Sequence, residues 1–210
     1  MGCQVTHTLE EQPDQNITEL MAATQNNDLL EMQAHMDQIQ YQSESGTTAL
    51  MIAAKLNYYD AAKLLLQETQ IADASGKTAL MYAAMNGNLG ILDLLIDEER
   101  KIVDDEGRTA LMYAVERHQV KCVQFLVPYE HGIQDNGELT ALMFAAKNND
   151  VQCVKELRTS EIMMRTDDGE TALGFAVANS SKEIMRLLSE EQTLLNPKQL
   201  SKFQKAVGKK

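Results

Sequence analysis

Residues 76–96, G-K-T-A-L-M-Y-A-A-M-N-G-N-L-G-I-L-D-L-L-I, contain two short helical patterns separated by a turn. Thr78 stands where a side-chain oxygen can accept a free backbone N–H of a first turn, and it therefore predicts a helix start. Asn86-Gly87 breaks the chain because both residues tolerate left-handed backbone angles. Each helix has one apolar face, formed by Leu80, Ala83 and Ala84 in the first and by Leu89, Leu92, Leu95 and Ile96 in the second. Two helices this short cannot bury these faces alone, so the stretch requires neighbours of the same kind.

The same pattern recurs along the chain at intervals of 30 or 31 residues. The threonine of the T-A-L motif occurs at Thr48, Thr78, Thr109, Thr140 and Thr171, and Thr18 begins a more polar copy, T-E-L-M. A glycine precedes five of these threonines, at Gly46, Gly76, Gly107, Gly137 (with one extra residue) and Gly169. A fixed period in this range is typical of a solenoid, in which stacked helical pairs share one continuous core.

The repeated motif G-x-T-A-L-M-x-A-A, followed by N-G and a leucine-rich helix, resembles the ankyrin repeat, whose usual form is G-x-T-P-L-H-x-A-A. The resemblance covers about residues 17–195 as six units and implies an all-α solenoid of helix-turn-helix units. The usual proline is replaced by Ala49, Ala79, Ala110, Ala141 and Ala172, and the usual histidine by Met51, Met81, Met112, Met143 and Gly174. This methionine variant and the short period resemble the ankyrin-only families of diplomonad parasites. The threonine cap remains, so the helices are expected to begin there.

Composition restricts the function. The chain has 31 acidic and 19 basic residues, a net charge of −12, which argues against nucleic acid as a ligand. Five lysines lie in the last 13 residues, so residues 1–197 carry a formal charge of −17 (14 − 31), and a protein partner with a basic patch is expected. No apolar run is long enough for a membrane span or resembles a signal peptide. Three cysteines, an odd number, fit a reducing compartment, and a cytoplasmic location is predicted.

The N-terminus carries a second motif. Met1 to Thr6 match M-G-x-x-x-[ST], which predicts myristate on Gly2, and the adjacent Cys3 is a candidate for palmitate. One acyl chain binds membranes marginally, whereas two form a stable anchor at the cytoplasmic face. The alternative is a chance match to a short motif. Residues 1–16 show no helical period and are predicted to form a flexible tail.

The C-terminal end is expected to close the array. After the array (residues 17–196), Asn196-Pro197 predicts the start of a helix within residues 197–210, with Leu200 and Phe203 covering the last unit. Its lysines suit a helix C-terminus, and a basic binding tail is the alternative interpretation. Within the array, Pro128 is predicted to end the second helix of unit four.

No residue cluster indicates catalysis. Phosphate-binding loops, nucleophile elbows and metal-ligand spacings are absent from the sequence, so neither an enzyme nor a cofactor or metal is predicted. His118 is expected at a surface turn. The acidic pairs Asp104-Asp105 and Asp167-Asp168 are expected to hold loops at equivalent places. Cys122 and Cys153 are expected in a helix interface, and the methionine column is interpreted as core rather than as an adaptable binding surface.

Function therefore depends on the surface. In ankyrin proteins the resemblance implies that loop tips and the residues after A-A contact partners; here the latter are Lys55, Leu56, Met85, Asn86, Glu116, Arg117, Lys147 and Asn148. The first hypothesis is a non-catalytic adaptor tethered through Gly2 and Cys3. The alternative is a soluble inhibitor or regulatory subunit of an enzyme. Polar terminal units favour a monomer.

Overall fold

The computed structural model describes residues 16–208, which form six stacked helical pairs followed by a single helix. The first helices of the pairs are α1 (Glu19–Gln25), α3 (Ala49–Leu56), α5 (Ala79–Asn86), α7 (Ala110–Glu116), α9 (Ala141–Lys147) and α11 (Ala172–Ala178). The second helices are α2 (Leu29–Ala34), α4 (Tyr59–Leu64), α6 (Leu89–Glu99), α8 (Val120–Glu130), α10 (Val151–Glu161) and α12 (Lys182–Leu187). Short 3₁₀ turns follow three of them, at Met36–Gln38, Leu66–Glu68 and Ser189–Leu194. The all-α solenoid predicted from the repeat is confirmed.

Each first helix begins at the predicted threonine. The threonine has extended backbone angles, and in five of the six units its hydroxyl oxygen accepts the N–H three residues on, as Thr48 does from Met51 at 3.3 Å. The side-chain cap predicted at Thr78 was wrong, because its hydroxyl accepts no such N–H, although α5 still begins after it. Alanine in place of proline at the next position therefore does not remove the helix start, which keeps an extended threonine in every unit and the cap bond in five.

The turn between the two helices of each unit contains a residue with a left-handed backbone. These residues are Asn27, Asn57, Gly87, His118, Asn149 and Ser180, with φ between 54° and 79°. Asparagine tolerates this conformation because its short side chain bonds locally, and glycine has no Cβ to clash. His118 occupies the predicted surface turn and is exposed.

The core is a continuous stack of leucine, alanine and methionine. Met51, Met81, Met112 and Met143 are at most 2% exposed, which confirms that the methionine column is core. Cys122 and Cys153 are buried free thiols, as expected for a helix interface. Burial raises the pKa of Cys122 to about 11, so this thiol is protonated and unreactive at neutral pH.

Five buried glutamates connect neighbouring units. In units two to six they lie at the end of the second helix or in the 3₁₀ turn after it, at Glu68, Glu99, Glu130, Glu161 and Glu191, and none is more than 1% exposed. One carboxylate oxygen accepts the N–H of the T-A-L leucine in its own unit, and the other accepts an N–H from the end of the preceding unit. We call this set the glutamate ladder. Desolvation raises the pKa of each of its members, although the hydrogen bonds oppose the shift.

Unit one has an amide in the place of the ladder glutamate. Gln38 Oε1 accepts the N–H of Leu20 at 3.1 Å, and Gln38 Nε2 donates to Glu19 at 2.5 Å. Within residues 16–208 no earlier unit supplies a second backbone donor. A neutral amide that accepts one bond and donates another therefore satisfies this position.

Loop turns between units are held by a polar side chain five residues before each threonine. Asp104 Oδ1, for example, accepts the N–H groups of Glu106 and Arg108 at 3.0 and 2.8 Å. The loop role predicted for Asp104 is confirmed, but the register predicted for unit six was wrong. There Thr166 takes the equivalent position, whereas Asp167 and Asp168 are exposed.

The loop before Thr140 contains no extra residue. Asp135 precedes Thr140 by the same five positions as Asp104 precedes Thr109, so the predicted insertion was wrong. The glycine has moved by one position, and Glu138 adopts the left-handed backbone (φ 62°) that Gly46, Gly76 and Gly107 adopt in units two to four. At the preceding junctions a loop N–H donates to a backbone carbonyl of the unit before, as Asp105 does to Ser75 at 3.2 Å. At the last junction the N–H of Asp167 donates instead to Glu138 Oε2 at 2.6 Å.

Pro128 does not end the second helix of unit four. Helix α8 continues through it to Glu130, and the N–H of His131 still donates to the carbonyl of Val127 at 3.2 Å. Pro128 is exposed, so the carbonyl that loses its donor lies on the solvent side of the helix. The ladder bonds of Glu130 on the opposite side hold the final turn in place.

The final helix, α13 (Pro197–Val207), begins at the predicted position. Asn196 and Gln199 form a reciprocal capping box, with Pro197 in the first turn. Phe203 is 5% exposed and Leu200 is partly buried where α13 packs on α11 and α12. The helix therefore covers the apolar end of unit six.

Candidate functional site

An open groove of about 1300 Å³ runs across units one to four on the side of the loops. The C-terminal ends of the first helices form one part of its lining, and the loops before α3, α5 and α7 form the other. Because every unit has the same geometry, the groove presents one set of equivalent positions per unit, with different side chains at each.

Six of the eight predicted contact residues line this groove. They are Lys55, Leu56, Met85, Asn86, Glu116 and Arg117. Five of the six are exposed, and Met85 is half-buried. Lys147 and Asn148 are exposed at the equivalent end of α9 but are not part of the lining. The lining stops at unit four, where the guanidinium of Arg108 lies over the ring of Phe144 from unit five, 5.5 Å from its centroid.

Two tyrosines are fixed in the groove by the loop aspartates. The hydroxyl of Tyr82 donates to Asp73 Oδ2 at 2.6 Å, and that of Tyr113 donates to Asp104. Partial burial opposes ionisation of Asp73, but bonds from Tyr82, Ser75 and the N–H of Lys77 outweigh it and lower the pKa of this carboxyl. Burial and the neighbouring Asp104 raise the pKa of Tyr113. Each pair joins a loop to the first helix that follows it.

Two cations lie near the ring of Tyr113. Lys77 Nζ is 5.7 Å from the centroid of the Tyr113 ring, and Arg108 Cζ is 6.0 Å from it on the neighbouring loop. Arg108 Nε is also 3.1 Å from Glu106 Oε2, and its Nη1 is 3.9 Å from Glu116 Oε2. Cations over aromatic faces are held partly by the ring quadrupole, so these side chains have preferred positions in the groove.

The tyrosine–aspartate pairs were missed at the sequence level. Their signal is a second spacing within the repeat, with aspartate five residues before the threonine and tyrosine four residues after it, in units three and four. The ladder glutamates were missed as well, although they follow each threonine by 20 or 21 residues. A charged residue near a helix end is usually exposed to solvent, so the sequence did not indicate that these glutamates are buried.

Other predicted sites fall outside this groove. Gly2 and Cys3, the candidate acylation sites, and the predicted flexible tail lie outside the described residues apart from Asn16. Residues 16–208 contain no group of three or more His, Cys, Asp or Glu side chains that could hold a metal ion. In the same part of the chain, no helix has the length and apolar character needed to cross a membrane.

Stacked helical pairs with a lined groove along one side define a solenoid repeat protein, a class whose extended surfaces bind other proteins. A model of three-copy ankyrin repeats matches residues 67–136 and 128–199, and a single-repeat ankyrin model matches residues 45–74. These matches span well over half of the 210 residues, so the chain belongs to the ankyrin-repeat family. No curated protein matches the chain. Ankyrin-repeat proteins are generally non-catalytic binding scaffolds, and at this general level the repeats imply that the chain mediates protein–protein interaction.

Proposed function

We propose that the chain is a non-catalytic adaptor that binds one partner protein through the groove of units one to four. One observation carries this proposal: six residues selected only from their place after A-A line one continuous open surface. The surface offers apolar contacts as well as charge, since its lining includes Leu56, which is 42% exposed, and the half-buried Met85. Residues of this kind supply contact area at protein interfaces.

The acidic side chains of the groove support binding rather than chemistry. Asp73 accepts bonds from Tyr82 and from its own turn, and Glu106 and Glu116 lie beside Arg108. A general base requires a carboxylate with access to a substrate proton. Here each of the three carboxylates already has a partner within the protein.

The charge of the whole chain favours a partner with a basic patch, through long-range attraction. The local charge of the groove is different, because five acidic residues of the array belong to the buried ladder. The net charge of −12 therefore bears on the long-range attraction of a partner, whereas the contact itself depends on the local charge of the groove. Unit one is more polar in sequence than the central units, and α13 covers the apolar end of unit six, which together favour a monomer.

For localisation, the proposal includes a tether to the cytoplasmic face of a membrane through myristate on Gly2 and palmitate on Cys3. The support is the sequence motif together with the physical requirement for two acyl chains. The alternative is a soluble inhibitor or regulatory subunit of an enzyme that uses the same groove. The two differ in whether Gly2→Ala moves the protein from the membrane fraction to the cytosol.

Photo-crosslinking from two leucines of similar exposure tests the groove. Leu56 lies in the groove and is 42% exposed, whereas Leu66 lies in the short turn after α4, outside the lining, and is 37% exposed. With a photoreactive residue at position 56 in cells that express the protein, we expect a crosslink to one discrete protein, and no such product from position 66. Equal products from both positions, or a product from position 66 alone, would contradict the proposal.

A further inference from the structure

The groove of this acidic protein contains cations that no internal carboxylate neutralises. Its lining holds four basic residues (Lys55, Lys77, Arg108, Arg117) and three acidic ones (Asp73, Glu106, Glu116). Arg108 is paired with Glu106 and lies near Glu116, and Asp73 is held by its own turn and by Tyr82. Among residues 16–208, Lys55, Lys77 and Arg117 form no ion pair. Three of the four cations therefore lack a carboxylate partner, and the lining as a whole has a formal charge of +1 (4 − 3), opposite in sign to the chain.

These three charges belong to successive units. Lys55 ends α3 in unit two, Lys77 precedes α5 in unit three, and Arg117 follows α7 in unit four. Packed helices lie about 8–10 Å apart, so the charges extend over roughly 20 Å. An extended chain advances about 3.3 Å per residue, and about six residues span this distance.

The lining also contains apolar groups in the units that carry the cations. Leu56 follows Lys55 in unit two, and Tyr82 and Met85 belong to α5 in unit three, the unit of Lys77. Lys77 Nζ donates to Ser75 Oγ at 2.7 Å, and because an ammonium group has three donors, it retains donors for a ligand. The groove thus offers both cationic and apolar contacts to an extended ligand.

Acidic residues limit the length of such a ligand. Glu44 and Asp105 are exposed on the loops that line the groove, but they are not part of its lining. A long polyanion would meet these carboxylates as well as the three cations. A short segment confined to the groove would avoid Glu44 and Asp105, and the carboxylates that it would meet there are already held by Arg108, by Tyr82 or by their own turn.

We propose that the groove binds a short, extended acidic segment of a partner protein, with carboxylates against Lys55, Lys77 and Arg117 and apolar side chains against Leu56 and Met85. This inference rests on the proposed function and specifies the partner chemistry of the same groove. The inference predicts acidic residues in the partner segment that enters the groove, whereas the net charge of the chain alone would favour basic ones.

The test is selection of a displayed library of random twelve-residue peptides on the full chain, followed by affinity measurements with labelled synthetic copies of the selected peptides. We expect enrichment of Asp and Glu among apolar residues, with affinity that falls as salt is added. The double variant Lys55→Gln, Arg117→Gln should weaken binding about tenfold, since two charge contacts are removed. The matched control is Lys182→Gln, Arg186→Gln, which removes the same charges from exposed positions of α12 and should leave affinity unchanged.

The possible results separate the two proposals. If the selected peptides are neutral or basic, or if their affinity is unchanged by the Lys55/Arg117 double variant, the proposal of an acidic segment is wrong. If Leu56→Ser still weakens such peptides, groove binding survives. A selection without enrichment, or peptides indifferent to both groove variants, overturns groove binding and the acidic segment together.

Discussion

Glu99 Oε2 accepts the backbone N–H of Leu80 at 2.7 Å, which places a buried carboxylate at the start of the first helix of its own unit. Its other oxygen accepts the N–H of Gln70 from the preceding unit at 3.1 Å. One side chain therefore satisfies two backbone donors that belong to different repeats. Four further glutamates repeat this arrangement along the array.

The first prediction concerns this pair of bonds. In Glu99→Gln the amide can accept one N–H but places its NH₂ against the other, so a buried backbone donor loses its acceptor. We expect a loss of about 1–3 kcal/mol in the free energy of unfolding, measured by urea titration. Glu98→Gln is the matched control, because Glu98 is exposed, and it should change stability by less than about 0.5 kcal/mol. Equal effects of the two substitutions would refute the role assigned to the ladder.

The second prediction concerns pH. Burial raises the pKa of Glu99 above its ordinary value of 4.5. A group whose pKa is higher in the folded chain stabilises the fold fully below the unfolded pKa, and this contribution is lost as pH rises through the folded pKa. The free energy of unfolding of the wild type should therefore exceed that of Glu99→Gln by more at about pH 5 than at about pH 7, as measured by urea titration at both pH values. An advantage that decreases would show that Glu99 has a lowered pKa.

The contribution of Asp73 to stability is expected to depend on pH in the opposite direction. Hydrogen bonds lower its pKa below the ordinary value of 3.8, so its contribution is present above the unfolded pKa and is lost as pH falls through the folded pKa. The wild-type advantage over Asp73→Asn should therefore decrease below about pH 4, in the window where the Glu99 contribution is complete. The measurement is the same titration in acidic buffer, and a constant advantage would contradict the prediction.

A further prediction compares two glycines with the same backbone. Gly76 and Gly169 both have φ near +80°, but a Cβ on Gly76 would lie 2.6 Å from the backbone nitrogen of Asp105, whereas one on Gly169 would meet nothing within 4 Å. Gly169→Ala should lower the free energy of unfolding by about 1 kcal/mol, because alanine disfavours the left-handed backbone. Gly76→Ala should cost at least about 1 kcal/mol more, because two loops must separate. Thermal or urea unfolding would show the difference, and equal losses would mean that the loops separate easily.

The last prediction concerns the N-terminus. The intact mass of the N-terminal peptide from expressing cells should show loss of Met1 and addition of myristate, with or without palmitate. Gly2→Ala should abolish both acyl groups, whereas Cys3→Ser should retain myristate and lose stable membrane binding, since one chain binds only marginally. An unmodified or acetylated N-terminus in the wild-type protein would rule out the tether.

Local chemistry made the repeat architecture predictable. Thr48 and four of its equivalents start helices because a side-chain cap acts within one turn, and Asn57 or Gly87 reverses the chain through its own backbone preference. These features depend on residues close in sequence, so a single pattern reveals them. The buried methionines were predictable for the same reason, because their neighbours recur with them.

Features that depend on a neighbouring unit were not predictable in this way. Glu130 near the end of α8 looks like a solvated charge until the donor from Lys101 is in place, and the same bonds allow the helix to continue past Pro128. The groove was anticipated only in part. Lys147 and Asn148 obey the same sequence rule as Lys55, but the lining ends where Arg108 lies over Phe144, a contact between residues 36 positions apart.

The contact that Glu138 makes between the last two loops differs in kind from the contacts between the earlier loops. At the junctions before it, a glycine lets two main chains meet directly, so each link is short and has no rotatable bonds of its own. At the last junction the link passes through a glutamate side chain, which can rotate about several bonds while it keeps hold of Asp167. The register of the last two loops therefore depends on the rotamer of one residue, whereas Glu191 and the packing of α11 on α9 join units five and six in the same way as their equivalents join the earlier units.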